Sequence, residues 1–151
     1  MTEDLKVING GVATDDRGQV RFVNDFNPSA FGVKRFYQVS NHAVNFVRAF
    51  HGHLKESKYV YVPKGSALVA VVPMEGTDKL LYDNVQKWTL SDANPKVLYI
   101  PAGYANGFKT LTADTTVMFF STTTLEESQD DDYRFDWNVY NLGKVWEEDY
   151  R

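Results

Sequence analysis

Apolar and polar residues alternate through much of this chain with a period of two, the signature of strands that bury one face. Residues 19–24 (QVRFVN) and 33–40 (VKRFYQVS) alternate in this way, the latter placing Val33, Arg35, Tyr37 and Val39 on one side. Residues 47–53, 59–63, 80–82, 86–90, 97–100, 104–111 and 115–123 also read as strands, rich in Val, Ile, Thr, Tyr and Phe. Residues 66–73 (SALVAVVP) form a nearly continuous apolar run, short enough for a strand buried on both faces. Gly10-Gly11 ends a possible first strand over 5–8, and Asp15-Asp16-Arg17-Gly18, Asn27-Pro28-Ser29, Lys64-Gly65 and Pro101-Ala102-Gly103 read as turns. Residues 125–132 carry five acidic side chains and read as a solvated acidic loop rather than a calcium loop, which spaces its oxygen ligands and glycine differently. Residues 133–151, with Trp137 and Trp146, show no clean period and read as a docked tail or short helix. Short strands spaced about 8–12 residues apart, with Gly, Pro and Asn between them, predict an all-β sandwich or barrel. No linker divides the chain, so residues 1–151 are expected to form one domain with an N-terminal arm over 1–12.

The stretch VRAFHGHLKESK, residues 47–58, concentrates titratable groups between apolar walls. On a strand His51 and His53 share a face, whereas Arg48 points the other way unless a bulge near Ala49 resets the phase. Taken alone the HxH pattern fits an ordinary solvated strand end equally well.

Composition narrows the function classes. Net charge is −4 and pI about 5.3, with no basic run, which argues against a nucleic-acid partner. There are no cysteines, so thiol and disulfide chemistry are excluded. The opening MTEDLKVING does not read as a secretion signal, and no apolar run reaches the ~18 residues of a membrane helix. A cytoplasmic protein without membrane contact is expected. Aromatic residues make up 15%, enough for core packing, a ring-stacking ligand site or both.

Two motifs together carry a resemblance. His51-Gly52-His53 followed by Pro101-Ala102-Gly103-Tyr104-Ala105-Asn106 resembles the HxH and PxGxxH pair of the cupins, and implies their jelly-roll barrel, a double-stranded β-helix. Metal-binding cupins use both His, a later Glu and the second-motif His. Here the place of that Glu falls near Lys58 and the last His is Asn106. A cation and a neutral amide do not make a divalent site, so no metal and no cofactor are expected. Over about residues 15–137 the chain resembles the dTDP-4-dehydrorhamnose 3,5-epimerases and the related sugar-nucleotide 3,4-ketoisomerases. Asp15-Asp16-Arg17-Gly18 is similar to their D-x-R-G, and Lys34-Arg35-Phe36-Tyr37 to the ketoisomerase K-R-V-Y. Arg48-Ala49-Phe50-His51-Gly52-His53 is similar to R-G-L-H-Y-Q and R-G-x-H-A-H, and IPAGYANGF (100–108) to I-P-P-G-F-A-H-G-F. The epimerase tyrosine pair is replaced by Thr124-Leu125-Glu126, and Phe22 stands near the place of a family Glu.

The resemblance implies isomerisation of a nucleotide-diphosphate-linked, dTDP-type 4-keto-6-deoxyhexose at C3, C5 or both. Migration of the ketone, or sugar binding without catalysis, are the alternatives. His51 is expected as base, His53 as a second acid/base, and Tyr37 and Tyr104 as candidate proton donors. Arg48, Lys58 and Asn106 are expected around the enolate oxygen, and Arg17 at the diphosphate. Phe22, Phe26 and Trp88 are candidate platforms for the base. Such cupins imply a homodimer, in which the N-terminal arm could extend a partner's sheet.

Overall fold

The computed structural model describes residues 3–149 and 151. Met1 and Thr2 of the expected arm and Tyr150 of the expected tail lie outside the described residues. Thirteen strands form among the described residues. The first seven are β1 (Lys6–Asn9), β2 (Gly11–Asp15), β3 (Gly18–Phe22), β4 (Arg35–Ser40), β5 (Val47–His53), β6 (Lys58–Lys64) and β7 (Ser66–Glu75). The others are β8 (Lys79–Leu80), β9 (Gln86–Ser91), β10 (Lys96–Ile100), β11 (Tyr104–Thr110), β12 (Thr116–Ser121) and β13 (Tyr133–Arg134). A 3-10 segment between β8 and β9 (Tyr82–Asn84), a short helix, α1 (Leu125–Gln129), and a distorted 3-10 segment (Val139–Trp146) complete the order.

Two curled sheets face each other. One runs β1-β10-β6-β12-β4, the other β13-β5-β11-β7-β8 with β9 also on β7. All these pairings are antiparallel, as the resemblance to the cupin double-stranded β-helix implied. Val60, Val69, Val71, Leu98, Val117 and Phe119 fill the space between the sheets. The outer face of the second sheet is covered as well. There the C-terminal segment docks Leu142, Val145 and Trp146 on Phe50, Ala70, Val72 and Ala105. Burial on both faces is why β7 lacks alternation and why every residue of β11 is buried. The expected docked tail is thus part of the second core.

The N-terminal expectation changes in detail. Residues 6–9 pair with β10 of their own chain rather than projecting as an arm. Gly10-Gly11, read as a break, passes directly into β2. A Cβ at Gly10 would lie 2.1 Å from Phe22 O and 2.8 Å from Pro95 O, so close backbone approach explains the glycine. Residues 80–82 do not form a strand of their own. The chain leaves β8 at Leu80 and turns through a 3-10 segment at Tyr82–Asn84.

The bulge considered for β5 is present. Asn106 faces His51 and Phe108 faces Arg48, so two steps along β11 span three along β5. Arg48 is thereby returned to the inner side with His51. Ala49, at the extra step, presses on Gly107, where a Cβ would lie 2.3 Å from Ala49 Cβ and 2.9 Å from its Cα. Gly107→Ala is therefore expected to lower unfolding free energy by about 1–3 kcal/mol through overpacking, measured by urea denaturation. Unchanged stability would show that the bulge yields freely.

Candidate active site

A cavity of about 370 Å3 opens between the sheets, with Arg35 and Tyr37 from β4, His51 and His53 from β5, Lys58 from β6 and Asn106 from β11 on its walls. The spacing of two in each strand places Arg35 with Tyr37, and His51 with His53, on the inner face. Phe108 and Phe119 supply an aromatic wall on which Tyr37 stacks, its ring 5.1 Å from Phe119. The Arg35 guanidinium lies 5.1 Å over the Tyr37 ring, and the Lys58 ammonium 5.6 Å over Phe119.

Glu56 organises the polar end. It is 3% exposed. Its Oε1 accepts from Arg35 at 3.1 Å, from Thr123 Oγ1 at 2.9 Å and from Ser121 Oγ. Its Oε2 lies 3.1 Å from His53 Nε2 and 3.7 Å from Lys58 Nζ. The loop that delivers Glu56 is closed by Asp131, itself 1% exposed. Asp131 Oδ1 accepts from Leu54 N at 2.7 Å, and Oδ2 from Lys55 N at 3.0 Å and Glu56 N at 2.9 Å. The Asp131 backbone carbonyl meets His53 Nδ1. A carbonyl only accepts, so Nδ1 carries the proton that it donates. Nε2 then faces Glu56, buried and without a hydrogen bond.

These surroundings set the charges. Burial pushes the His51 imidazole below its ordinary value of 6.5, and the Lys58 charge adds to this, while Asp132 opposes. His53 is lowered by burial and by Lys58 against the pull of Glu56. The Lys58 ammonium is lowered by burial, with Glu56 the main group that holds its proton on. For Glu56, burial raises the carboxyl, but Lys58 and the Ser121 hydrogen bond outweigh it and keep it below the usual range. Burial and Glu56 raise the Tyr37 phenol, which stays protonated.

Six of the eight residues singled out in the sequence meet at this cavity: Tyr37, Arg48, His51, His53, Lys58 and Asn106. Asn106 sits opposite His51, its Nδ2 3.5 Å from the His51 carbonyl oxygen. Arg48 Nε donates to Asn41 Oδ1 at 2.7 Å. Two residues lie elsewhere. Tyr104 is 7% exposed in the core, and its hydroxyl donates to Glu3 O at 3.1 Å. It starts β11 directly opposite His53, yet it does not line the cavity, its side chain being packed into the core between the sheets. Arg17 tips the β2–β3 hairpin, fully exposed and paired with Asp15 at 2.6 Å, outside the cavity of its own chain. His42, in the polar loop before β5, is exposed.

Residues that the sequence reading passed over matter more. One of them is Glu56, a buried carboxylate two residues before Lys58. It was hidden in the polar run KESK, where parity gives no guidance. Arg35 was placed on the correct face but given no role. The acidic loop is only partly solvated: Asp131 is interior, Asp132 lines the cavity, and Thr124 with Glu127 forms a capping box on α1. Phe26 packs among Phe31, Tyr59 and Phe120 away from the site, and Trp88 belongs to the core. Among the described residues, no three His, Asp or Glu side chains converge as a metal would need. The donor set agrees: Glu56 is engaged by Arg35 and Lys58, and Asn106 offers a neutral amide.

A closed double-stranded β-helix with histidines, a lysine and an aromatic wall in its mouth defines a small-molecule cupin. The profile of the dTDP-4-dehydrorhamnose 3,5-epimerase family matches residues 1–150, and the chain belongs to that family of enzymes. It is 27% identical over 106 residues, 70% of each chain, to the spore coat polysaccharide biosynthesis protein SpsL of Bacillus subtilis (strain 168). Its fold is similar to that of ChmJ, a 3'-monoepimerase from Streptomyces bikiniensis in complex with dTDP-quinovose. The TM-score is 0.77 and identity 19%, covering 99% of this chain and 78% of that one. It is also similar to QdtA, a sugar 3,4-ketoisomerase from Thermoanaerobacterium thermosaccharolyticum in complex with TDP. There the TM-score is 0.68 and identity 18%, covering 92% and 93%. No helix among the described residues is long and apolar enough to cross a membrane.

Proposed function

We propose that the protein epimerises a dTDP-linked 4-keto-6-deoxyhexose at C3, C5 or both, through an enolate. The observation that carries this reading is the opposition of His51 and Tyr37 across one cavity, with Lys58 between the walls. The ketone acidifies the adjacent C–H. His51, kept neutral by burial, takes that proton, and the electron pair moves onto the C4 oxygen. The Lys58 ammonium faces the resulting negative charge. Tyr37, on the opposite sheet, returns a proton to the other face of the carbon, inverting it, and is itself recharged from solvent. Arg35 and Arg48 are the cations at the cavity for a diphosphate, and Phe108 with Phe119 is the surface for a ring. Asn106 and His53 contact the sugar.

The runner-up is 3,4-ketoisomerisation, favoured by the presence of both histidines in the cavity. The proton then goes to C4 while the C3 hydroxyl loses its own, moving the ketone to C3. Whichever carbon is touched, we propose one cupin domain over the chain, a cytoplasmic protein and a homodimer. The exposed Val12 and Val20 of the β2–β3 hairpin support a partner surface there.

Wild-type protein incubated with dTDP-4-keto-6-deoxyglucose in D2O is expected to incorporate deuterium at C3 or C5 and release inverted product, followed by proton NMR. Carbonyl migration would select the ketoisomerase reading. Binding without exchange would leave a sugar-binding cupin.

A further inference from the structure

Lys58 is the residue that this reading asks to be cationic, yet it is 6% exposed and has the Arg35 cation near it. The Arg35 guanidinium approaches from β4, and the His51 and His53 rings face the same cavity from β5. The acidic groups facing this end of the site are Glu56, Asp131 and Asp132. Asp131 gives both carboxylate oxygens to backbone N–H groups, and Asp132 pairs with Arg134 at 3.1 Å. Glu56 is the carboxylate in ion-pair range of Lys58 among the described residues. An ammonium removed from water without such a partner sheds its proton.

Glu56 is also held unusually firmly. Three donors on two separate segments fix Oε1: Arg35 on β4, and Ser121 with Thr123 at the end of β12. That leaves Oε2 aimed at Lys58 Nζ and His53 Nε2. A surface carboxylate pairing by chance would not be clamped on one oxygen and directed with the other.

We propose that Glu56 is a positioning residue for the reaction: its clamped carboxylate keeps the Lys58 side chain charged and pointed into the cavity. The role rests on the enolate reading above, but its physical core does not need substrate. Glu56 does not touch the reacting atoms. It acts through Lys58.

Glu56→Gln keeps the shape and one acceptor oxygen but removes the charge. Loss of an opposite charge at this range lowers a lysine by about 1–3 pH units. Activity requires protonated Lys58, so it falls as pH rises through the lysine's own value. In Glu56→Gln the alkaline limb of kcat for solvent-deuterium exchange is therefore expected to move down by about 1–3 pH units, with KM changed less than kcat. Glu56→Asp, which keeps the charge, is expected to retain the wild-type limb at a reduced kcat. Limbs at the same pH in wild type and Glu56→Gln would overturn the proposal, whatever the loss of rate.

A second measurement needs neither substrate nor a stable variant. With 13C-labelled lysine, the Lys58 ε-carbon of the unliganded wild-type protein is expected to show an inflection at acid pH as Glu56 takes up a proton. A flat acid limb at Lys58 would also overturn it. Should wild-type protein exchange no deuterium with any 4-keto sugar nucleotide, the enolate reading fails, and this titration still decides the role of Glu56.

Discussion

His51→Ala is expected to reduce deuterium exchange into the substrate by about 100- to 10,000-fold, the worth of a positioned base, while dTDP still binds. The replacement removes a half-buried ring at the open end of β5, not a core side chain, so the barrel should survive. Exchange at the wild-type rate would remove His51 from the mechanism. The wild-type pH profile gives a second check. Burial and the Lys58 charge hold the imidazole below 6.5, so the acid limb of kcat/KM should lie below that pH. The same shift affects stability. Unfolded His51 binds a proton near 6.5, whereas folded His51 binds it only at lower pH. Its contribution is therefore full above 6.5 and is lost as pH falls through the folded value. Wild type should lose stability over that window faster than His51→Ala, as followed by thermal unfolding.

Asp131→Ala is expected to cost the most stability, about 3–5 kcal/mol, with a fall in Tm of about 10 °C or more. The carboxylate is 1% exposed and accepts from three consecutive backbone N–H groups, at Leu54, Lys55 and Glu56. Truncation leaves these donors with no partner and no ready access to water. The loop they belong to carries Glu56, so ordering of the Glu56–Lys58–His53 cluster should be lost with it. Asp131→Asn, which keeps an acceptor oxygen, should fall between. A Tm within a degree or two of wild type for the alanine variant would show that the loop closes by other means.

The strands and the shared face of the two histidines were legible because period-two alternation reports directly on which face a side chain occupies. The continuous runs were legible too, since a sheet covered on both sides has no polar face to alternate with. The rest required distances along the chain that no local pattern holds. Asp131 is 77 residues from Leu54, and in sequence it is one acid in a run of them. Glu56 lies in a polar turn that reads like any solvated turn, and only its partners on β4 and β12 identify it. Tyr104 shows the opposite failure. It stands in the motif and starts the right strand, but its hydroxyl is spent on the N-terminal segment. Parity can say which way a residue points. It cannot say what stands in front of it.

The extra residue on β5 uncouples the two ends of one strand. Before it lies the guanidinium of Arg48, after it the imidazoles. Ironing the bulge into regular pairing would swing the guanidinium to the far side of the sheet and leave both imidazoles where they are. The close seat of Ala49 on Gly107 thus decides whether a cation and the imidazoles share one face.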